Sequence, residues 1–184
     1  TSTPEERNTE LNEDITMSEL AETLKQCKKK SAPGTDGILY TMIKNLPDIC
    51  LQTVLKLFQT IWRTGILPQA WKHSKIFSII KPDKPAAEPS SYRPISLTSC
   101  LCKTLEKIVN NRLTWFVEAN NLLSKQQTGF RKGKSTIDQI MLLQDTIAKF
   151  NSNKGFTVGV FIDFEKAYDM LWRVGLLAKI RKLE

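Results

Sequence analysis

Two acidic residues close an apolar run near the end of the chain. The segment TVGVFIDFEKAYDML, residues 157–171, places Asp163 directly after the apolar residues and Asp169 six positions later. A carboxylate at the end of a strand can bind Mg²⁺, which takes oxygen ligands in proteins. The same carboxylate can instead cap the following turn, and spacing alone favours this cap. For Asp169, beyond the turn, a structural role explains the residue better than metal binding.

An extended conformation over residues 156–162 sorts the side chains onto two faces. One face carries Phe156, Val158, Val160 and Ile162, and the other carries Thr157, Gly159, Phe161 and Asp163. Gly159 leaves space for a ligand to approach on the face of Asp163. One carboxylate does not make a two-metal site, because phosphoryl transfer by two ions needs several acids around them.

The composition is that of a chain that can fold. Its 184 residues, 41% of them apolar, suffice for one core, or for one core and an incomplete second lobe. No apolar run approaches the roughly 20 residues of a membrane span, and the polar start TSTPEERNTELNED has no signal-peptide pattern. The cysteines lack zinc-ligand spacing, so we expect reduced, mostly buried thiols in an intracellular protein. They are Cys27, Cys50, Cys100 and Cys102.

The net charge of +8 is unevenly distributed. Residues 1–24 carry a local charge of −6, whereas the remaining 160 residues carry +14. A basic body of this kind is typical of proteins that bind phosphate groups. Charge alone leaves a merely solvated basic surface equally open.

Apolar periodicity and turn signals predict the helices and strands that position these residues. Residues 1–14 are predicted to be a flexible acidic lead-in, and Thr16 with Glu19 forms a capping-box pattern for the first helix. Gly65 is the predicted C-cap of a second helix, and a basic, glycine-containing loop precedes a capping signal at Ser135. The pattern predicts helices at 51–64, 98–118, 135–150 and from about 171, strands at 75–80 and 156–162, and a loop or second hairpin strand after 85. Helices and strands are grouped, which predicts an α+β fold.

Five segments in order resemble motifs of reverse transcriptases, in the form found in non-long-terminal-repeat (LINE-like) retrotransposons. They are KKKSAPGTDGI, GILPQAWKHSKIFSIIKPDK, SYRPISLTSCLCKTLEKIVNNRL, QQTGFRKGKSTIDQI and FIDFEKAYD. A lone FxDxxxAxD would be weak, but five motifs in order are specific. Together they cover the chain from about Lys28 to its end.

This resemblance implies part of a right-hand polymerase that copies RNA into DNA from dNTPs with two Mg²⁺ ions. The expected organisation is an acidic lead-in and N-terminal helix at 1–30, a mostly helical fingers subdomain with a short β-hairpin at 31–155, and the first palm strand and helix at 156–184. The implied partners are an RNA template, a DNA primer, dNTPs and the remainder of the same polyprotein, with no membrane. The implied location is the nucleus or a cytoplasmic ribonucleoprotein.

The resemblance also assigns residues to the catalytic and nucleotide sites. Asp163 would be the first metal-binding aspartate, and Phe164 would offer its backbone carbonyl to a metal. Tyr168 would lie under the deoxyribose and exclude a 2′-hydroxyl. Lys81 and Arg93 would contact the incoming triphosphate, for which a guanidinium fork is suited. Arg93 could also pair with a nearby acid, and Tyr168 could be a core residue.

Further residues are implied for the template path. Gln127, Gly129, Phe130 and Arg131 would line it, and backbone-directed binding would be supported by Lys125, Arg131, Lys132 and Lys134. Phe130 could stack on a nucleobase, but packing under its own loop is the preferred interpretation. Asp36 and Gly37 could touch the template, although a turn needs such residues in any case.

The paired-aspartate motif and the thumb that the resemblance requires are expected to lie outside this chain. We therefore expect the isolated chain to be inactive as a polymerase. A non-catalytic nucleic-acid-binding remnant is the alternative function. A maturase-type relative from a self-splicing intron is a weaker one.

Overall fold

The computed structural model describes residues 9–152, 155–164, 167 and 170–181. The described residues divide into two compact units, one of residues 9–116, called the unit up to Phe116, and one from Val117 on. This division by packing does not test the expected subdomain boundaries at residues 30 and 155, which stay predictions.

The described part of the chain is mostly helical, with one two-stranded antiparallel sheet. The helices are α1 (Thr9–Asn12), α2 (Met17–Gln26), α3 (Tyr40–Lys44), α4 (Asp48–Thr64), α5 (Cys100–Ala119), α6 (Thr136–Ser152) and α7 (Arg173–Arg181). The strands are β1 (Lys75–Ile80) and β2 (Tyr92–Leu97). Single 3₁₀ turns lie at Gln69–Lys72 and Pro89–Ser91. None of these helices is long and apolar enough to cross a membrane.

Local capping signals begin and end two of the helices as the sequence predicts. At α2, the Glu19 N–H donates to Thr16 Oγ1 at 3.2 Å, and the Thr16 N–H donates to Glu19 Oε2 at 2.8 Å. This reciprocal pair is the predicted capping box. At α4, Gly65 adopts a left-handed φ of 66° and its N–H donates to the Ile61 carbonyl at 2.8 Å.

The core lies in the unit up to Phe116, where α2, α3, α4 and α5 bury their apolar faces. Phe58 is fully buried, and its ring meets Trp71 edge-on at 6.2 Å. The buried cluster consists of Ile15, Leu20, Leu24, Cys27, Tyr40, Ile43, Phe58, Ile61, Cys100, Leu105 and Ile108. The helix predicted at 98–118 therefore contributes to the core as α5, through Cys100, Leu105 and Ile108.

Three of the four thiols are buried, which confirms the prediction that most of them would be. Cys50 is the exposed one. Burial raises the pKa of the Cys102 thiol to about 11, with the nearby Glu106 carboxylate acting in the same direction. This thiol is therefore neutral and unreactive at neutral pH.

The predicted hairpin is present, and its second strand is resolved as β2. Ile80 pairs with Tyr92 and Lys75 with Leu97 in a continuous antiparallel register. Every residue of β1 is exposed, so the hairpin stands out from the core. Its stability in this structure rests on cross-strand pairing rather than on burial.

The expected flexible lead-in is wrong for residues 9–14. Residues Thr9–Asn12 form α1, and the guanidinium of Arg112 donates to the carbonyls of Leu11 at 3.2 Å, Glu13 at 2.6 Å and Asp14 at 3.1 Å. These partners are about 100 residues apart in sequence, so no local pattern could reveal them. Polar composition resembles a flexible segment, but here the backbone is satisfied by a distant side chain.

The predicted strand at 156–162 is also absent, because residues 155–164 are described without regular secondary structure. Within the described residues, β1 and β2 form the whole sheet. Strand conformation is held by hydrogen bonds to a neighbouring strand. High strand propensity without a paired neighbour is therefore insufficient here.

Candidate nucleic-acid and metal-binding residues

Asp163 and Phe164 lie on an exposed stretch of chain without regular secondary structure. The carboxylate of Asp163 has no hydrogen-bond or ion-pair partner among the described residues, and no metal-binding cluster of three acids, histidines or cysteines occurs among them. The ring of Phe161 comes within 3.3 Å of the place where a Cβ on Gly159 would lie, so it covers the space expected there. Tyr168 and Asp169 lie outside the described residues.

The hairpin brings Lys81 and Arg93 onto one face. Arg93 is directly opposite Ile79, and the Lys81 N–H continues the ladder by donating to the Ser91 carbonyl at 2.8 Å. Because side chains alternate along a strand, Lys81 lies on the same face as Ile79 and Arg93. The two candidate triphosphate contacts are therefore neighbours.

Lys81 and Arg93 differ in their contacts. The Lys81 ammonium donates to the Ser90 carbonyl at 2.8 Å, which fastens it to the hairpin turn. Arg93 is exposed and has no acidic partner among residues 9–152, 155–164, 167 and 170–181, so the salt bridge considered from sequence is not found. Its guanidinium fork is available to an anion.

The basic loop between α5 and α6 is organised around Arg131. Arg131 Nε and Nη2 donate to the two carboxylate oxygens of Glu118 at 2.8 and 2.5 Å. Arg131 Nη1 donates to the carbonyls of Ser124 at 3.1 Å and Gln127 at 3.3 Å. The Arg131 guanidinium lowers the pKa of Glu118 below its usual value, so the pair is ionised at neutral pH.

The prediction that Phe130 packs under its own loop is wrong. Its side chain is 98% exposed, and its backbone has a left-handed φ of 61°. For a bulky residue this conformation is uncommon and costs roughly 1–2 kcal/mol. An aromatic ring held out into solvent by a strained backbone can stack on a nucleobase.

The other template candidates lie in the same loop as Phe130. Gly129 has open space where a Cβ would lie, and Gln127 is exposed with its N–H bonded to the Ser124 carbonyl at 3.1 Å. The lysines of the loop, Lys125, Lys132 and Lys134, are all exposed. Together with Phe130 they form a basic, aromatic surface suited to a single-stranded polyanion.

The loop at residues 31–37 has the turn role considered for it. The Ile38 N–H donates to Asp36 Oδ1 at 3.1 Å, and Gly37 adopts a φ of 70°. Gly34 is buried against α5, since a Cβ there would lie 2.6 Å from the Ser99 nitrogen. Its smallness is thus required by close packing.

The sequence did not identify Glu118 as a site residue, although its carboxylate accepts two hydrogen bonds from Arg131. Glu118 follows the apolar residues Phe116 and Val117 near the end of α5, 13 positions before Arg131, and no periodicity connects two such positions. The charge on a mostly apolar helix end was the available signal, but it does not identify the partner.

Comparison with known proteins shows similarity to one family of polymerases. The sequence profile described as reverse transcriptase (RNA-dependent DNA polymerase) matches residues 79–184. That range begins within β1 and contains Arg93, the basic loop and Asp163.

Curated relatives agree with this match over most of the chain. The probable RNA-directed DNA polymerase from transposon BS of Drosophila melanogaster is 36% identical over 169 residues, which cover 92% of this chain and 19% of that protein. The RNA-directed DNA polymerase from mobile element jockey of the same species is 33% identical over 169 residues, covering 92% of this chain and 18% of that protein. The Pol polyprotein from the type-1 retrotransposable element R1 of Bradysia coprophila is 30% identical over 168 residues, covering 91% and 16%. The chain spans less than a fifth of the length of these relatives.

Proposed function

Since the chain belongs to the reverse transcriptase family and is related to the polymerases of non-long-terminal-repeat retrotransposons, we propose that it contributes the fingers and the first metal-binding aspartate to an RNA-directed DNA polymerase. The observation that carries this proposal is the profile match over residues 79–184, which includes FIDFEKAYD. The right-hand polymerase architecture is part of the same proposal.

The reaction is nucleotidyl transfer. The primer 3′-hydroxyl oxygen bonds to the α-phosphorus of a dNTP, pyrophosphate leaves with the oxygen of the broken bond, and the hydroxyl proton is released. Because the transferred group carries dispersed negative charge, catalysis depends on positioning and on charge stabilisation. The proposed role of Arg93 and Lys81, on one face of the hairpin, is to hold the outer phosphates of the dNTP.

Asp163 is the proposed ligand for Mg²⁺, with the Phe164 carbonyl beside it. Both offer hard oxygen atoms, and the exposed carboxylate of Asp163, which has no partner within the described part of the chain, suits a hydrated cation. When bound, two Mg²⁺ ions would neutralise the reacting phosphate. Tyr168 is proposed to exclude the ribose 2′-hydroxyl, and Tyr168→Ala in the full-length polymerase should then raise ribonucleotide incorporation.

The RNA template is proposed to follow the basic loop. Support comes from the exposed lysines and the outward-facing Phe130, which can supply charge and stacking without reading sequence. This surface also suits the alternative function, a nucleic-acid-binding remnant without catalysis. RNA binding by the 184-residue chain, with no primer extension by that chain alone, is expected under both.

Primer extension by the full-length polymerase that carries this segment tests the catalytic proposal. Asp163→Asn keeps the size of the side chain and removes its charge. Extension on an RNA template with Mg²⁺ should fall by at least about 100-fold, because metal ions supply several kcal/mol of transition-state stabilisation.

The matched control is Asp145→Asn, which removes an exposed charge on α6 where Asp145 pairs with Lys149 at 2.6 Å. This control should extend primers at the wild-type rate. Full activity of Asp163→Asn would refute the metal-ligand assignment.

A further inference from the structure

The Arg131 side chain links the basic loop to the end of α5. Arg131 makes four hydrogen bonds to protein oxygens: one each from Nε and Nη2 to the Glu118 carboxylate, and two from Nη1 to the carbonyls of Ser124 and Gln127. A guanidinium has five N–H groups, so little of this one remains for a phosphate. Its side chain is only 16% exposed.

The contacts of Arg131 also determine where the ring of the neighbouring residue, Phe130, lies. Glu118 lies in the last turn of α5 and Arg131 at the far side of the loop, so their pair joins the two ends of the segment. Left-handed backbone at Asn121, Phe130 and Gly133 makes the tight turns of this path. Arg131 is directed into the loop, and Phe130, whose backbone is strained, directs its ring toward solvent.

We propose that Glu118 is a positioning residue for template binding: it holds Arg131 inside the loop, and so presents Phe130, Lys132 and Lys134 to single-stranded RNA. Arg131 thereby acts on the template through the loop rather than by direct contact. The inference rests on the template-binding part of the proposed function.

Simple electrostatics predicts the opposite effect for Glu118. An acid beside a basic surface repels a polyanion, so its removal should strengthen RNA binding. If Glu118 positions the loop, its removal weakens binding, because a disordered loop must be ordered again when RNA binds. The direction of the change therefore separates the two roles.

The test uses the 184-residue chain with a fluorescent single-stranded RNA oligonucleotide. Glu118→Gln should raise Kd by roughly 3- to 10-fold. Arg131→Lys should do the same although it keeps the charge, because an ammonium lacks the fork that pairs with a carboxylate. Asp145→Asn is the matched control, with the same loss of one acid from the same unit, and should bind as tightly as wild type or more tightly.

Amide exchange of the RNA-free chain gives a second readout. In Glu118→Gln and Arg131→Lys, exchange should become faster across residues 120–134 and remain unchanged in α6. Binding and exchange like those of Asp145→Asn would overturn the proposal. A wild-type chain that binds no RNA would overturn the template-binding function, and the exchange comparison would still decide whether Glu118 orders the loop.

Discussion

Single residues in this chain depart from their expected surroundings where function is proposed. Phe130 exposes its whole ring and has a left-handed backbone, whereas Arg131 beside it is turned inward to Glu118. Strain of this kind persists only where the surrounding contacts impose it, and it is frequent at ligand sites. The two neighbouring template candidates therefore have different proposed roles, Phe130 as a contact and Arg131 as a support.

Removal of the Phe130 ring should weaken RNA binding without weakening the fold. One stacked base contributes roughly 1–3 kcal/mol, so Phe130→Ala should raise the Kd of the 184-residue chain for single-stranded RNA by about 5- to 150-fold. The free energy of unfolding should change little, because the ring makes almost no packing contact. Fluorescence anisotropy and urea denaturation measure the two quantities.

Phe156→Ala is the matched control for that loss, since Phe156 is 86% exposed in the same unit. It should bind RNA like the wild type. Equal affinities of Phe130→Ala and the wild type would remove Phe130 from the template surface.

At the scale of elements, the start of α5 holds the loop at residues 31–37 in place. The Leu101 N–H donates to Ser99 Oγ at 3.2 Å, which caps the helix, and Lys103 Nζ donates to the Ala32 carbonyl at 3.3 Å. Gly34 lies directly against the backbone of Thr98 and Ser99. The loop and the start of α5 are packed so closely that no side chain fits at residue 34.

Gly34→Ala is expected to destabilise the chain by about 1–3 kcal/mol, because the new methyl group meets backbone atoms that cannot move aside independently. Urea denaturation should show a lower midpoint with the same slope. Gly129→Ala makes the same substitution in open space and should change the free energy of unfolding by less than about 0.5 kcal/mol. Indistinguishable midpoints for the two variants would contradict the close packing at Gly34.

Across the unit up to Phe116, polar side chains of α4 and α5 hold the segment before α2. Arg112 pairs with Glu19 at 2.6 Å and lies 5.4 Å from the centre of the Trp62 ring. Gln59 Nε2 donates to the Ile15 carbonyl at 2.7 Å, and Arg63 pairs with Asp14. These contacts place Ile15 in the core, where it is 1% exposed.

This network should make stability depend on acid. Hydrogen bonds from Arg112 lower the pKa of Glu19 from 4.5 to about 2, so its carboxylate stabilises the fold above about pH 4.5. That contribution is lost as pH falls towards 2. One pKa unit corresponds to about 1.4 kcal/mol, and solvent at the partly exposed carboxylate reduces the effect to on the order of 1–2 kcal/mol.

The measurement is the free energy of unfolding of wild type and Glu19→Gln between pH 7 and pH 2. The difference between them should be largest at neutral pH and should shrink below pH 4.5. Glu22→Gln on the same helix, whose carboxylate lies 3.9 Å from Lys25 with both side chains exposed, should lose little stability at any pH. A wild-type advantage over Glu19→Gln that is constant with pH would exclude the ionised pair as its source.

Local chemistry made several elements predictable from the residues alone. The Thr16 capping box and the Gly65 cap act within a few residues, so they are visible in the sequence and confirmed in the structure. Five motifs in order likewise identified the family, because they preserve residue types at fixed spacing. The finer roles of Asp163 and Tyr168 stay predictions.

Only the tertiary structure decided the features that depend on distant partners. Arg112 orders residues 11–15 from about 100 residues away, Glu118 turns Arg131 inward, and residues 156–162 form no strand despite their strand propensity. In each case the outcome depends on which group lies within hydrogen-bond reach in space. The sequence by itself therefore determined the family and the local elements, and the fold decided which distant groups the charged side chains of Arg112 and Arg131 contact.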